Sequence, residues 1–157
     1  MTNIGSLSDG FSFSIDALSN AMSTQRDVAL FLWNEDIIHM MSWLLLDRNV
    51  ESDGVEPSEG EDAIESRIAC WNPKIVVFDL IPPYQDSAAV LARLIDRFPE
   101  MRFIVTCADT TLALRKAPWL SRLRLFQKPY DPYALVDQIQ AAVAPSYKSI
   151  GIVSVGA

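Results

Sequence analysis

Apolar positions along the chain fall into two alternating rhythms. Unbroken runs, "VALFLW" at 28–33, "IVVFD" at 75–79, "RFIVTC" at 102–107 and "RLFQ" at 124–127, have the length and residue types of strands covered on both faces. A short, weaker strand is predicted within "NVESDGV". Between these runs the apolar residues recur at helical spacing: Ile37, Met41, Leu44 and Leu45, then Ile64, Ile68 and Trp71. The same spacing joins Val90, Leu91, Leu94, Ile95 and Phe98 within "SAAVLARLIDRF", and later Leu135, Val136, Ile139 and Val143. "TTLALRKAPWLSRL" predicts a helix interrupted near Pro118. Ser58 followed three residues on by Glu61 is a capping-box signal, and Asp131-Pro132 is a cap and first-turn pair.

Strands alternating with helices five times over predict an α/β fold, a doubly wound five-stranded parallel sheet with helices on both faces. The domain is expected at residues 26–143, between a Ser/Asn/Gly-rich tail at 1–25 and a second tail at 144–157. Sheets of this kind bind at the carboxyl ends of their strands. The residues expected there are Asn34, Glu35 and Asp36 after the first strand, Asp79 at the end of the third, Thr106 in the fourth and Lys128 after the fifth.

Charge and composition narrow the function. A net charge of −7 with no basic run argues against binding nucleic acid phosphates. "IIHMMSWLLL" is too short to span a bilayer, and the N-terminus lacks the basic and apolar regions of a signal peptide, so a cytoplasmic protein with no membrane insertion is expected. Cys70 and Cys107 follow no metal-ligand spacing and read as reduced thiols. His39, the sole histidine, lies within the first predicted helix and supports no Ser–His or Cys–His hydrolase. The four tryptophans, at 33, 43, 71 and 119, are expected in the core, with Trp33 close to the strand ends. Crowded carboxylates without His or Cys suit a hard cation, and Mg²⁺ is the best match. With such a cation present Asp79 stays ionised and can act as a nucleophile. Mg²⁺, the Lys128 ammonium and the Thr106 hydroxyl could then each take an oxygen of a transferring phosphoryl group.

The chain resembles the receiver domains of two-component response regulators, in the flavodoxin-like form of the stand-alone chemotaxis regulators. The resemblance covers roughly residues 26–143 and rests on matches in order: "NED", "SEGEDAIE", "VVFDLIPPYQDS", "FIVTCAD" and "LFQKPYDPYALV". It implies that Asp79 is the phosphoacceptor, that Mg²⁺ is held by Asp79, the Ile81 carbonyl and the acids after strand one, that Thr106 is the switch hydroxyl and Lys128 the phosphoryl-binding lysine, and that Pro129 follows a cis peptide. The acid pair is either Asn34–Glu35 or Glu35–Asp36. The implied partners are a histidine kinase or phosphotransfer protein and a downstream protein target, with a homodimer left open and no conventional enzymatic activity. Leu125 stands where the family has a switch aromatic, Ser87 replaces a glycine, and Pro82 precedes Pro83. Two functions follow: a phosphorylation-dependent switch, or a pseudo-receiver that keeps the fold as a phosphorylation-independent interaction or scaffold module.

Overall fold

The computed structural model describes residues 24–144. The predicted tails at 1–25 and 144–157 lie almost wholly outside the described residues. The elements run β1 (Val28–Phe31), α1 (Glu35–Leu46), β2 (Ser52–Gly54), a 3-10 turn (Pro57–Glu59), α2 (Glu61–Trp71), β3 (Ile75–Asp79), α3 (Tyr84–Arg97), β4 (Arg102–Cys107), α4 (Thr110–Lys116), a second 3-10 turn (Pro118–Arg122), β5 (Arg124–Gln127) and α5 (Pro132–Val143). The strands form one parallel sheet in the order β2-β1-β3-β4-β5. This order reverses direction between β1 and β3, the switch point at which ligands bind in doubly wound sheets.

The unbroken apolar strands are explained by two cores, one on each face. Ala29, Phe31, Val76, Phe78 and Val105 pack against α2, α3 and α4, whereas Val28, Leu30, Ile75, Val77 and Ile104 pack against α1 and α5. Alternate residues of each strand thus enter opposite cores, as the two-residue period requires. Val28 through Phe31 and Ile75 through Val77 are fully buried. Burying side chains of this size stabilises by roughly 1.5–3 kcal/mol each. β2, at three residues, is the weak edge strand that the sequence suggests.

Gly54 ends β2 under the first helix. A Cβ there would lie 2.6 Å from Ile38 Cγ2 and 2.9 Å from the Leu30 carbonyl oxygen. The Ile38 methyl can yield but the Leu30 backbone cannot. Gly54→Ala is therefore expected to cost about 1–3 kcal/mol by overpacking, measured as a lower urea midpoint with an unchanged slope.

Several local expectations need correction. Ser58 does not cap α2: it lies in the 3-10 turn, and Gly60, at φ +97°, occupies the cap position without a side-chain bond. A positive φ at this cap position favours glycine, and Ser58, two residues earlier, is left in the turn. Glu61 instead receives two hydrogen bonds from Arg93 of α3, at 2.7 and 2.8 Å, which hold its carboxyl below the usual range. α3 begins at Tyr84, three residues ahead of "SAAVLARLIDRF". β1 stops at Phe31 rather than Trp33. Trp71 is buried and Trp119 half-buried, but Trp33 and Trp43 are exposed, Trp43 by 79%.

Candidate functional site

β3 and β4 pair in register with Asp79 opposite Thr106. Asp79 follows Ile75 and Val77 on the face that packs against α1 and α5, and Thr106 follows Ile104 on the same face. Their side chains therefore meet: the Thr106 hydroxyl donates to Asp79 Oδ1 at 3.1 Å. Lys128, just past β5, donates its ammonium to Asp79 Oδ2 at 2.6 Å. The Trp33 amide also donates to that oxygen, at 3.4 Å. Asp79 is 1% exposed, and a carboxylate so deep is tolerable only when its charge is matched. One ammonium, one hydroxyl and one amide do this without any outside group.

The loop after Lys128 is shaped by a cis peptide at Lys128-Pro129, as the resemblance implies, and the Pro82-Pro83 peptide is cis as well. Asp131 Oδ1 then accepts from the Tyr133 amide and starts α5. Tyr130 contacts the Phe126 ring edge-on and is half-buried; burial, and secondarily the Asp79 charge, push its hydroxyl above the usual pKa, so it stays neutral. On the other face Cys107 is fully buried, and burial raises its thiol likewise.

The structure divides the residues expected to hold Mg²⁺. Asn34 is the N-cap of α1: its Oδ1 accepts from the Asp36 and Ile37 amides, at 2.9 and 3.2 Å. Glu35 and Asp36 are exposed first-turn acids of that helix, favourable there against its dipole. Glu35 borders a groove with His39, Asp53 and Ser58 that does not include Asp79. The Ile81 carbonyl accepts from the Ser87 hydroxyl at 3.0 Å. Among the described residues, no three His, Cys, Asp or Glu side chains are grouped as a metal would need.

What stands beside Asp79 instead is apolar. Phe31 pairs with Phe78, so the next residue, Leu32, falls beside Asp79. Leu32 is 2% exposed and packs with Val28 and Leu30 on Asp79's own face. Trp33 follows and borders two grooves that both reach Asp79. One, of about 320 Å³, is walled by α1 and the β5–α5 loop; the other, of about 260 Å³, lies towards Ile81 and Pro82 and has Glu61, already bound by Arg93, and Asp86 in its lining. Oxygen ligands for Mg²⁺ are therefore not gathered here: among the described residues no three acids group around Asp79, and Glu61 is engaged with Arg93.

Many solved structures share this architecture, among them the following three. A CheY-like response regulator receiver domain protein from Methanospirillum hungatei JF-1 superposes with a TM-score of 0.63 at 14% identity, over 76% of this chain and 94% of its own. A sensor protein from Polaromonas sp. JS666 gives 0.61 at 18% identity, over 74% and 94%. The apo receiver domain of nitrogen regulatory protein C gives 0.60 at 18% identity, over 75% and 94%. This is a receiver fold. No protein-family model matches the sequence, and no curated protein matches it either. Asp79, Thr106 and Lys128 converge, and Leu32 and Trp33, rather than the acids expected after the first strand, stand beside Asp79. The signal for this lay in the strand's length. Once β1 ends at Phe31, the "NED" run falls beyond the rim and becomes a helix start. No described helix is long and apolar enough to cross a membrane.

Proposed function

We propose that this chain is a pseudo-receiver, a signalling module that works by protein–protein contact without metal-assisted phosphoryl transfer to Asp79. The observation that carries the reading is Leu32 and Trp33 beside Asp79, where a Mg²⁺ site would need carboxylates. A phosphoryl group brings a charge of about −1.5 to −2. Here it would meet the Lys128 ammonium alone, already engaged with Asp79. Asp79 then serves the fold: its pair with Lys128 ties β3 to the β5–α5 loop, and its bond from Thr106 ties β3 to β4.

The second reading, a phosphoacceptor switch loaded by a histidine kinase or phosphotransfer protein, is favoured by the same contacts of Asp79 with Thr106 and Lys128. Incubation with acetyl phosphate and Mg²⁺, followed by intact-mass measurement, separates the two. The pseudo-receiver keeps an unchanged mass, identical in behaviour to Asp79→Asn. A single added phosphoryl group on the native chain, lost in Asp79→Asn, would restore the switch.

A further inference from the structure

The groove between α1 and the β5–α5 loop has a volume, about 320 Å³, in the range of small-molecule sites. Its walls are apolar and aromatic: Trp33, Ile37 and Met40 on one side, Pro129, Tyr130 and Pro132 on the other. Its polar groups are Asp79, Lys128, Asn34 and the neutral Tyr130 hydroxyl. Asp79 has no accessible acceptor to offer, because it is 1% exposed and already takes bonds from Thr106, Lys128 and Trp33.

The groups left over are donors. An ammonium carries three N–H bonds, and Lys128, whose side chain is 41% exposed, spends one on Asp79. Asn34 spends its Oδ1 on the helix cap, which leaves its amide NH₂. No carboxylate other than Asp79 lines the groove. A guest that fits must therefore bring acceptors at one end and a flat apolar body at the other.

We infer that this groove binds a small aromatic carboxylate, its ring against Trp33, Met40 and Tyr130 and its carboxylate on the Lys128 ammonium. This rests on the metal-free reading of the rim, and it gives the module an input: a ligand seated there touches α1 and the β5–α5 loop together. Occupancy then couples a small molecule to the surface formed by those two elements.

The test uses the full chain in EDTA, with the four tryptophan indole signals followed in proton–nitrogen spectra and Trp33 assigned by Trp33→Phe. 1-Naphthoate is expected to shift the Trp33 indole saturably, with a Kd on the order of 1 mM for a ligand of this size. 1-Naphthalenemethanol and 1-naphthylmethylamine, which lack the charged acceptor, are expected to bind about tenfold more weakly. Tyr130→Ala should weaken naphthoate several-fold while leaving the Trp43 indole in place. Equal binding of acid and alcohol, a response centred on Trp43 or Trp119, or no saturable response would overturn the assignment. In a parallel sample, a Mg²⁺-dependent beryllofluoride response at Asp79 overturns the metal-free reading, and the ligand site with it. Failure of naphthoate without that response overturns the ligand assignment alone.

Discussion

Lys128→Met is expected to lower the unfolding free energy by about 2–3 kcal/mol. The substitution keeps an unbranched apolar stem of similar length but removes the ammonium 2.6 Å from Asp79 Oδ2. The Asp79 side chain is 2% exposed, so water cannot replace the lost cation. Breaking a fully buried pair in this way costs about 3–5 kcal/mol. The Lys128 side chain is 41% exposed, so solvent screens part of the attraction and the lower figure applies. In a chain of this size the loss appears as a fall in Tm of roughly 5–10 °C. Asp79→Asn in the same background is expected to return most of the stability, because no charge is then left unmatched. A double-mutant cycle reads the coupling directly, with an interaction energy of about 1–2 kcal/mol. If Lys128→Met and Asp79→Asn proved additive, the pair would not be the tie between β3 and the β5–α5 loop.

The second large effect comes from putting acids where a metal would need them. In Leu32→Asp combined with Trp33→Asp, a carboxylate replaces a side chain that is 2% exposed and packs beside Asp79. Lost burial alone costs about 2–5 kcal/mol, and repulsion between neighbouring carboxylates adds to it. Mg²⁺ should reverse part of this loss, since a ligand that binds only the folded state stabilises by mass action. At ten times the Kd the recovery is about 1.4 kcal/mol. The native chain is expected to show no such recovery. Trp33→Asp alone begins from an exposed side chain and should fold without metal, so the comparison survives if the double variant does not. Thermal unfolding with and without Mg²⁺ measures all three. Equal Mg²⁺ stabilisation of native and substituted chains would mean that the cation acts elsewhere.

The helices and strands were legible because their signals are redundant. β3 and β4 are marked at once by an unbroken apolar run and by flanking polar residues, and both appear with the predicted limits. That Asp79, Thr106 and Lys128 meet at one rim was legible for a related reason: each ends, nearly ends or directly follows such a run. The first strand gave no such protection. "VALFLW" is apolar through Trp33, yet pairing stops at Phe31, and the last two residues turn towards Asp79. "NED" then carries two meanings in one-dimensional form. An Asn followed by two acids is an acidic rim, and it is equally an N-cap with a first helical turn favoured by the dipole. Only the three-dimensional register separates them, and it selects the cap. Ser58 failed similarly: Ser and Glu at capping-box spacing lost to Gly60, whose positive φ no serine adopts cheaply. The bond from Ser87 to the Ile81 carbonyl joins residues six apart across a turn of two prolines, which no periodicity reports.

The most direct test of the account is a Mn²⁺ titration of the labelled native chain, with Mn²⁺ standing in for Mg²⁺ and broadening any amide close to where it binds. With Leu32 and Trp33 beside Asp79, the amides of Trp33, Leu80 and Thr106 should broaden no more than those of the exposed acidic surface, and the pattern should be the same in Asp79→Asn. Saturable broadening centred on Asp79, abolished by Asp79→Asn, would contradict the account and place a working metal site at this rim.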